Sequence, residues 1–93
     1  MTPDYVRIPR STLDGLADYI LHGIPTGDFL RAVLSNDLEE AYGRADDFNT
    51  MAMFEIVHYV VNCVPRQARG SPEAYAGWVE HHRKLRREER ITP

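Results

Sequence analysis

Three arginines beside chain corners carry the clearest chemical potential in this sequence: Arg44 just past Gly43, and Arg66 and Arg69 in the segment before Ser71. A guanidinium is planar, always charged and offers a fork of N–H donors that fits phosphate or carboxylate, so an arginine fixed at a tight corner can hold an oxyanion. The stretch Gly23 to Gly27 (G-I-P-T-G) adds His22, Thr26 and the backbone N–H groups that begin a helix at Gly27, although Asp28 opposes an anion there. Asn36 sits at a turn, and Trp78 or Tyr75 offers a ring on which a base could stack. His22, Thr26, Gly27, Asn36, Arg44, Arg66, Arg69 and Trp78 are therefore the candidate ligand-binding set. Each also has a plain structural reading. Arg44 can pair with Asp46 and Asp47, Arg66 and Arg69 can be solvated loop charges, and residues 22–27 can be a corner between helices.

Other chemistries find less. The G-I-P-T-G stretch lacks the lysine of a phosphate-binding P-loop and follows a helix instead of a strand. His81 and His82 are adjacent, so on a helix they point about a hundred degrees apart and share no metal without further ligands. One cysteine, Cys63, excludes an intramolecular disulfide and reads as a small core residue. His58 lies one turn from Asn62 and reads as a buried histidine satisfied by a backbone or hydroxyl partner. A small hydrolase using His58 or His81 with an aspartate has no local motif behind it, and no cofactor motif is present. The run from His81 to Arg90 is basic, but Glu88, Glu89 and the absence of a helix-turn-helix pattern set nucleic-acid binding aside.

The elements that must position these residues are helices. Pro3 and Pro9 keep residues 1–10 as an extended arm, and Ser11 or Thr12 caps a first helix through Leu13, Leu16, Ala17, Ile20 and Leu21 that Gly23 and Pro25 end. Thr26 caps a short helix through Phe29, Leu30, Val33 and Leu34; Asp37 and Glu40 open another that meets Gly43. From Asp46 or Asp47 to Val64 one core helix is predicted, stopped by Pro65, with Phe48, Met51, Ala52, Ile56, Tyr59, Val60 and Cys63 along one side. Its β-branched stretch from Ile56 would also suit a strand, but the Met-Ala-Met-Phe-Glu run before it and the lack of a partner strand favour helix. Ser71 and Pro72 open the last helix, buried along Tyr75, Trp78, Val79, His82 and Leu85, with residues 86–93 a frayed charged tail. The fold class is all-α, a compact single-domain bundle of about five helices over 1–93, three short and two longer.

A chain of 93 residues buries only about two-thirds of its unfolded surface, so its stability margin is thin. With no disulfide or paired-cysteine zinc site, self-association is the remaining support, and a homo-oligomer is expected. The net charge of −3 hides an asymmetry: residues 1–62 carry four arginines against ten carboxylates, and residues 63–93 carry seven basic side chains against four glutamates. A basic tail laid on an acidic body, its own or a neighbour's, suits that pattern. The longest apolar run falls short of a membrane span, and residues 1–10 lack the apolar core of a signal peptide, so a cytoplasmic location is expected.

Residues 22–46, H-G-I-P-T-G-D-F-L-R-A-V-L-S-N-D-L-E-E-A-Y-G-R-A-D, resemble a group of short proteins encoded by tailed bacteriophages and prophages. The resemblance extends to the N-terminal I-P-x-x-T-L and to the late G-S-P-E with a tryptophan after it, covering most of residues 8–82. The R-Q-A-R segment from Arg66 to Arg69 departs from the polar, less charged loop of that group. The resemblance implies a small non-virion phage protein acting on host physiology or defence, by sequestering a nucleotide signal between subunits or by blocking a host protein. Joined to the arginines, it gives the leading expectation: a homo-oligomer that binds a small anionic ligand, such as a cyclic or ADP-ribose-type nucleotide. The alternative is an inhibitor of a host protein that makes contact through its basic last helix.

Overall fold

The structure, a computed structural model, describes residues 4–91 and the side chains of residues 4–88. The first residues of the expected arm and the last two of the expected tail lie outside that range. Six α-helices are present among the described residues: α1 (Arg10–His22), α2 (Asp28–Leu34), α3 (Leu38–Arg44), α4 (Asp47–Met51), α5 (Met53–Cys63) and α6 (Pro72–Ile91). The all-α fold is as the periodicity predicts. No described helix is long and apolar enough to cross a membrane.

Helix boundaries follow from local chemistry. Asp37 accepts from the Glu40 N–H at 3.2 Å, Asp46 from the Asn49 N–H at 2.7 Å, and Ser71 from the Ala74 N–H at 3.0 Å. Each oxygen satisfies one of the N–H groups that a helix start leaves without an intrahelical partner. Gly23 ends α1 in the left-handed region, at φ 62°, and its N–H returns to the Tyr19 carbonyl. Asn36, also at φ 62°, plays the same part after α2, where asparagine tolerates the conformation better than most residues.

Three boundaries differ from expectation. The cap of α2 is Gly27, with no side-chain cap bond, and not Thr26, whose hydroxyl donates to the Gly27 carbonyl. Within the expected extended arm, Tyr5–Arg7 form a 3-10 turn capped by Asp4, and α1 begins at Arg10 with Pro9 as its cap. Thr12 is thus no cap but a buried residue whose hydroxyl donates to the Asn49 side chain at 2.6 Å. The single helix expected over 46–64 is parted at Ala52, which leaves helical geometry at φ −100°, ψ 12°. No proline or glycine marks that break. Phe48 and Met51 then face solvent, while Ala52, Met53, Ile56 and Val60 pack inward.

Leu16, Tyr19, Leu34 and Ile56 are fully buried at the centre, joined by Val60, Val64, Tyr75 and Val79. Each buried aliphatic side chain contributes about 1.5–3 kcal/mol. α6 leaves this core after Val79. Residues 83–88 are all exposed, the helix continues to Ile91, and the longest dimension is 48 Å against 24 and 21 Å for the others.

Candidate functional site

The outward side of α5 has no charged side chain. Its sequence, M-F-E-I-V-H-Y-V-V-N-C, contains one acidic side chain, Glu55, and no lysine or arginine, and Glu55 is buried. Apolar residues run nearly all round the helix, more than one buried face can use, and a helix with that pattern needs partners on more than one side. Ile56 and Val60 take the inward face. Phe54, Val57 and Val61, spaced three and four residues apart, stay 51%, 36% and 52% exposed. Beside them on α3, Leu38 and Tyr42 are 61% and 50% exposed.

These five side chains border one apolar trough of about 450 Å³, whose polar walls are only His58 and Asn62. The trough adjoins a narrower cleft of about 220 Å³ that shares Leu38, Met53, Val57 and Val61 with it and reaches Asn36, Arg69 and Gly70. Arg69 is held in place there: its guanidinium donates to the carbonyls of Val61 at 3.0 Å and Val64 at 3.3 Å, closing the C-terminus of α5. A cation on those last carbonyls also complements the helix dipole. Gly70, at φ 104°, donates its N–H to the Leu34 carbonyl and so ties this loop to the end of α2.

The sequence-predicted ligand residues do not gather in one place. Asn36 and Arg69 meet at the α5 cleft. Thr26 and Gly27 stand together at the start of α2, where the Thr26 N–H donates to the Tyr75 hydroxyl at 2.8 Å. Arg44 approaches that corner through Asp28, at 3.8 Å, and is bonded more closely by Glu40 at 2.7 Å. Those two carboxylates, led by the Glu40 hydrogen bond, raise the Arg44 pKa above its ordinary value. Arg66 is exposed in the 3-10 turn Arg66–Ala68. His22 and Trp78 flank the end of α1: the His22 carbonyl accepts from Arg86, and the indole N–H of Trp78 donates to the Tyr19 carbonyl at 2.7 Å.

Two further readings change or hold. Cys63 is exposed, not a core residue, because the chain turns out of α5 there and Val64 takes the buried position. His58 has the hydroxyl partner expected of it, Tyr5, at 2.8 Å from Nδ1, but it is half-buried and not buried, because it stands at the edge of the outward face of α5. Sequence reasoning passed over Arg31 and the outward face of α5. The signal for the latter was present in the apolar residues at 53, 54, 56, 57, 60 and 61, which exceed a single helical stripe.

Fold and surface together define a class: a small all-α module that presents an uncharged apolar face, with no group of three or more potential metal ligands among its described residues. No family model, curated protein or solved structure matches the chain.

Proposed function

We propose that this chain is a binding module that works as a homo-oligomer, with the α3–α5 face as the seam between copies. The observation that carries the reading is the exposed set Leu38, Tyr42, Phe54, Val57 and Val61 around a trough without a charged wall. Interface centres are depleted in charge and enriched in aromatic side chains, as this face is. A second copy is the occupant that fits best. A face without ionised groups can meet its own image across a two-fold axis without like-charge repulsion.

A dilution series followed by amide NMR tests this. The resonances of Leu38, Tyr42, Phe54, Val57 and Val61 should move together with concentration while those of the α1 core stay fixed. Shifts confined to other surfaces, or none, reject the seam.

The other expectations have less to draw on. A nucleotide held by Arg44 and Arg69 competes with the carboxylates of Glu40 and Asp28 and with the α5 carbonyls that these arginines already serve. Contact with a host protein through the last helix must reckon with Glu80, which neutralises Arg83 at 3.1 Å and Arg87 at 3.5 Å. A place in phage–host conflict, implied by the resemblance, is compatible with such a module and rests on that resemblance alone.

A further inference from the structure

A second cleft, of about 490 Å³, opens between α2 and α6. Its apolar wall is Pro25, Pro72, Ala76 and Val79, and its polar wall is Thr26, Arg31, Ser35, Tyr75, Glu80 and Arg83. The polar groups are arranged unlike the ion pairs elsewhere on the surface. Arg10, Arg44, Arg83 and Arg87 each bind a carboxylate, and Arg69 and Arg86 bind carbonyls. Arg31, like Arg7 and Arg66, has neither among the described residues, but it alone of these three lies over an aromatic ring. Its guanidinium lies over the Tyr75 ring, 5.8 Å from the centroid. That ring is itself fixed by its stack on Tyr19, so the fork is steadied without its N–H donors being spent.

Tyr75 and Thr26 supply the complement. The Tyr75 oxygen accepts the Thr26 N–H at 2.8 Å and lies 3.2 Å from the Thr26 hydroxyl. The Thr26 hydroxyl donates to the Gly27 carbonyl at 3.2 Å, so between the two hydroxyls the Tyr75 proton is the donor, and an arriving oxyanion takes these protons by rotation of the two hydroxyls. Glu80 is the one carboxylate on the wall, and both its oxygens are engaged, by Arg83 and by Arg87.

We infer that this cleft binds a phosphate monoester of a small apolar or aromatic group. The Arg31 fork holds the phosphate with the Tyr75 and Thr26 hydroxyls turned towards it, Arg83 stays paired with Glu80, and the proline, alanine and valine wall receives the organic part. A tetrahedral oxyanion suits donors that converge from α2, from the corner before it and from α6, whereas a carboxylate presents its acceptors in one plane. The cleft volume lies in the range of small-molecule pockets. The inference does not depend on self-association, since every residue named belongs to one chain.

The test is titration of the full chain with inorganic phosphate, phenyl phosphate and acetate, read by the arginine Nε–H resonances. Phenyl phosphate should bind at least about tenfold more tightly than phosphate, given roughly 1.4 kcal/mol from burying the ring. Acetate should bind more weakly than either. Arg31→Ala should lose at least about tenfold of the phenyl phosphate affinity, the worth of one charge-assisted hydrogen-bonding partner. Arg7→Ala should lose none. Glu80→Gln, which releases Arg83, should tighten binding and guards against a misfolded Arg31 variant being mistaken for a positive result. Equal affinity for acetate and phenyl phosphate, equal losses in the Arg31 and Arg7 variants, or no Arg31 Nε–H shift at millimolar phenyl phosphate would each overturn the inference.

Discussion

Tyr19 and Tyr75 stack with centroids 5.1 Å apart and planes 12° apart, and each hydroxyl fastens a different loop. Tyr19 donates to the Ala68 carbonyl at 2.7 Å, and Tyr75 accepts from the Thr26 N–H at 2.8 Å. One aromatic pair between α1 and α6 thereby holds the loop before α2 and the loop before α6. Burial is the main cause of a Tyr19 pKa raised above the ordinary phenol value, so the hydroxyl keeps its proton, and stays a donor, further into the alkaline range than a free phenol.

Tyr19→Phe keeps the ring and removes only the hydroxyl. The Ala68 carbonyl loses that donor inside the core, at a cost of about 1–3 kcal/mol. For a chain of this size that is a fall in Tm of at least about 4 °C. Thermal unfolding followed by circular dichroism checks it, and an unchanged Tm would mean that the hydroxyl does not lock the loop.

Gly23→Ala should be more damaging than a glycine-to-alanine change usually is. Position 23 sits at φ 62°, and an added Cβ would run into the His82 side chain. Both the backbone and the contact resist the methyl group, for a combined cost above about 1 kcal/mol. Adding His82→Gly, which removes the His82 Cβ that lies nearest the added methyl group, should recover only the contact part relative to His82→Gly alone. Urea unfolding of the single and double variants separates the two, and full recovery would show that the backbone conformation carries no cost.

His82 also predicts a pH dependence. Its Nε2 is buried without a hydrogen-bond partner among the described residues, and its ring meets the edge of Trp78 at 4.8 Å. Burial first, then His81, Arg86 and His22, lower its pKa. The unfolded chain therefore binds the proton more readily than the folded one. The stability gained is complete above the unfolded value of about 6.5 and is lost as pH falls towards the folded value. Thermal melts from pH 8 down to pH 5 should show Tm falling below about 6.5, and His82→Gln should flatten that part of the curve. Identical slopes for both proteins would remove His82 from the account.

Much of the fold is legible in the sequence because its boundaries are written in local chemistry. Asp37, Asp46, Ser71 and Pro72, Gly23 and Pro65 all act where their types predict, since a cap or a stop needs only its neighbours. The break at Ala52 was not legible. Nothing in Thr50-Met51-Ala52-Met53 disfavours helix, so tertiary packing decides it, and with it the outward turn of Phe48 and Met51. The candidate site was legible in its parts and not in its grouping. Thr26 lies on a cleft wall and Asn36 meets Arg69, but pairing with Glu40 and Asp28 keeps Arg44 from serving them. Arg31 was invisible because its significance lies in Tyr75, 44 positions further along the chain.

Self-association through the α3–α5 face is the central claim, and sedimentation equilibrium tests it most directly. The wild-type chain should pass from monomer to a multiple of its 10.7 kDa mass across the micromolar range. Val57→Glu and Phe54→Glu, each placing a charge in the trough, should stay at 10.7 kDa with undiminished helical circular dichroism. A wild-type chain that remains a folded 10.7 kDa monomer up to about 1 mM, or charged variants that associate as well as it does, would contradict the account.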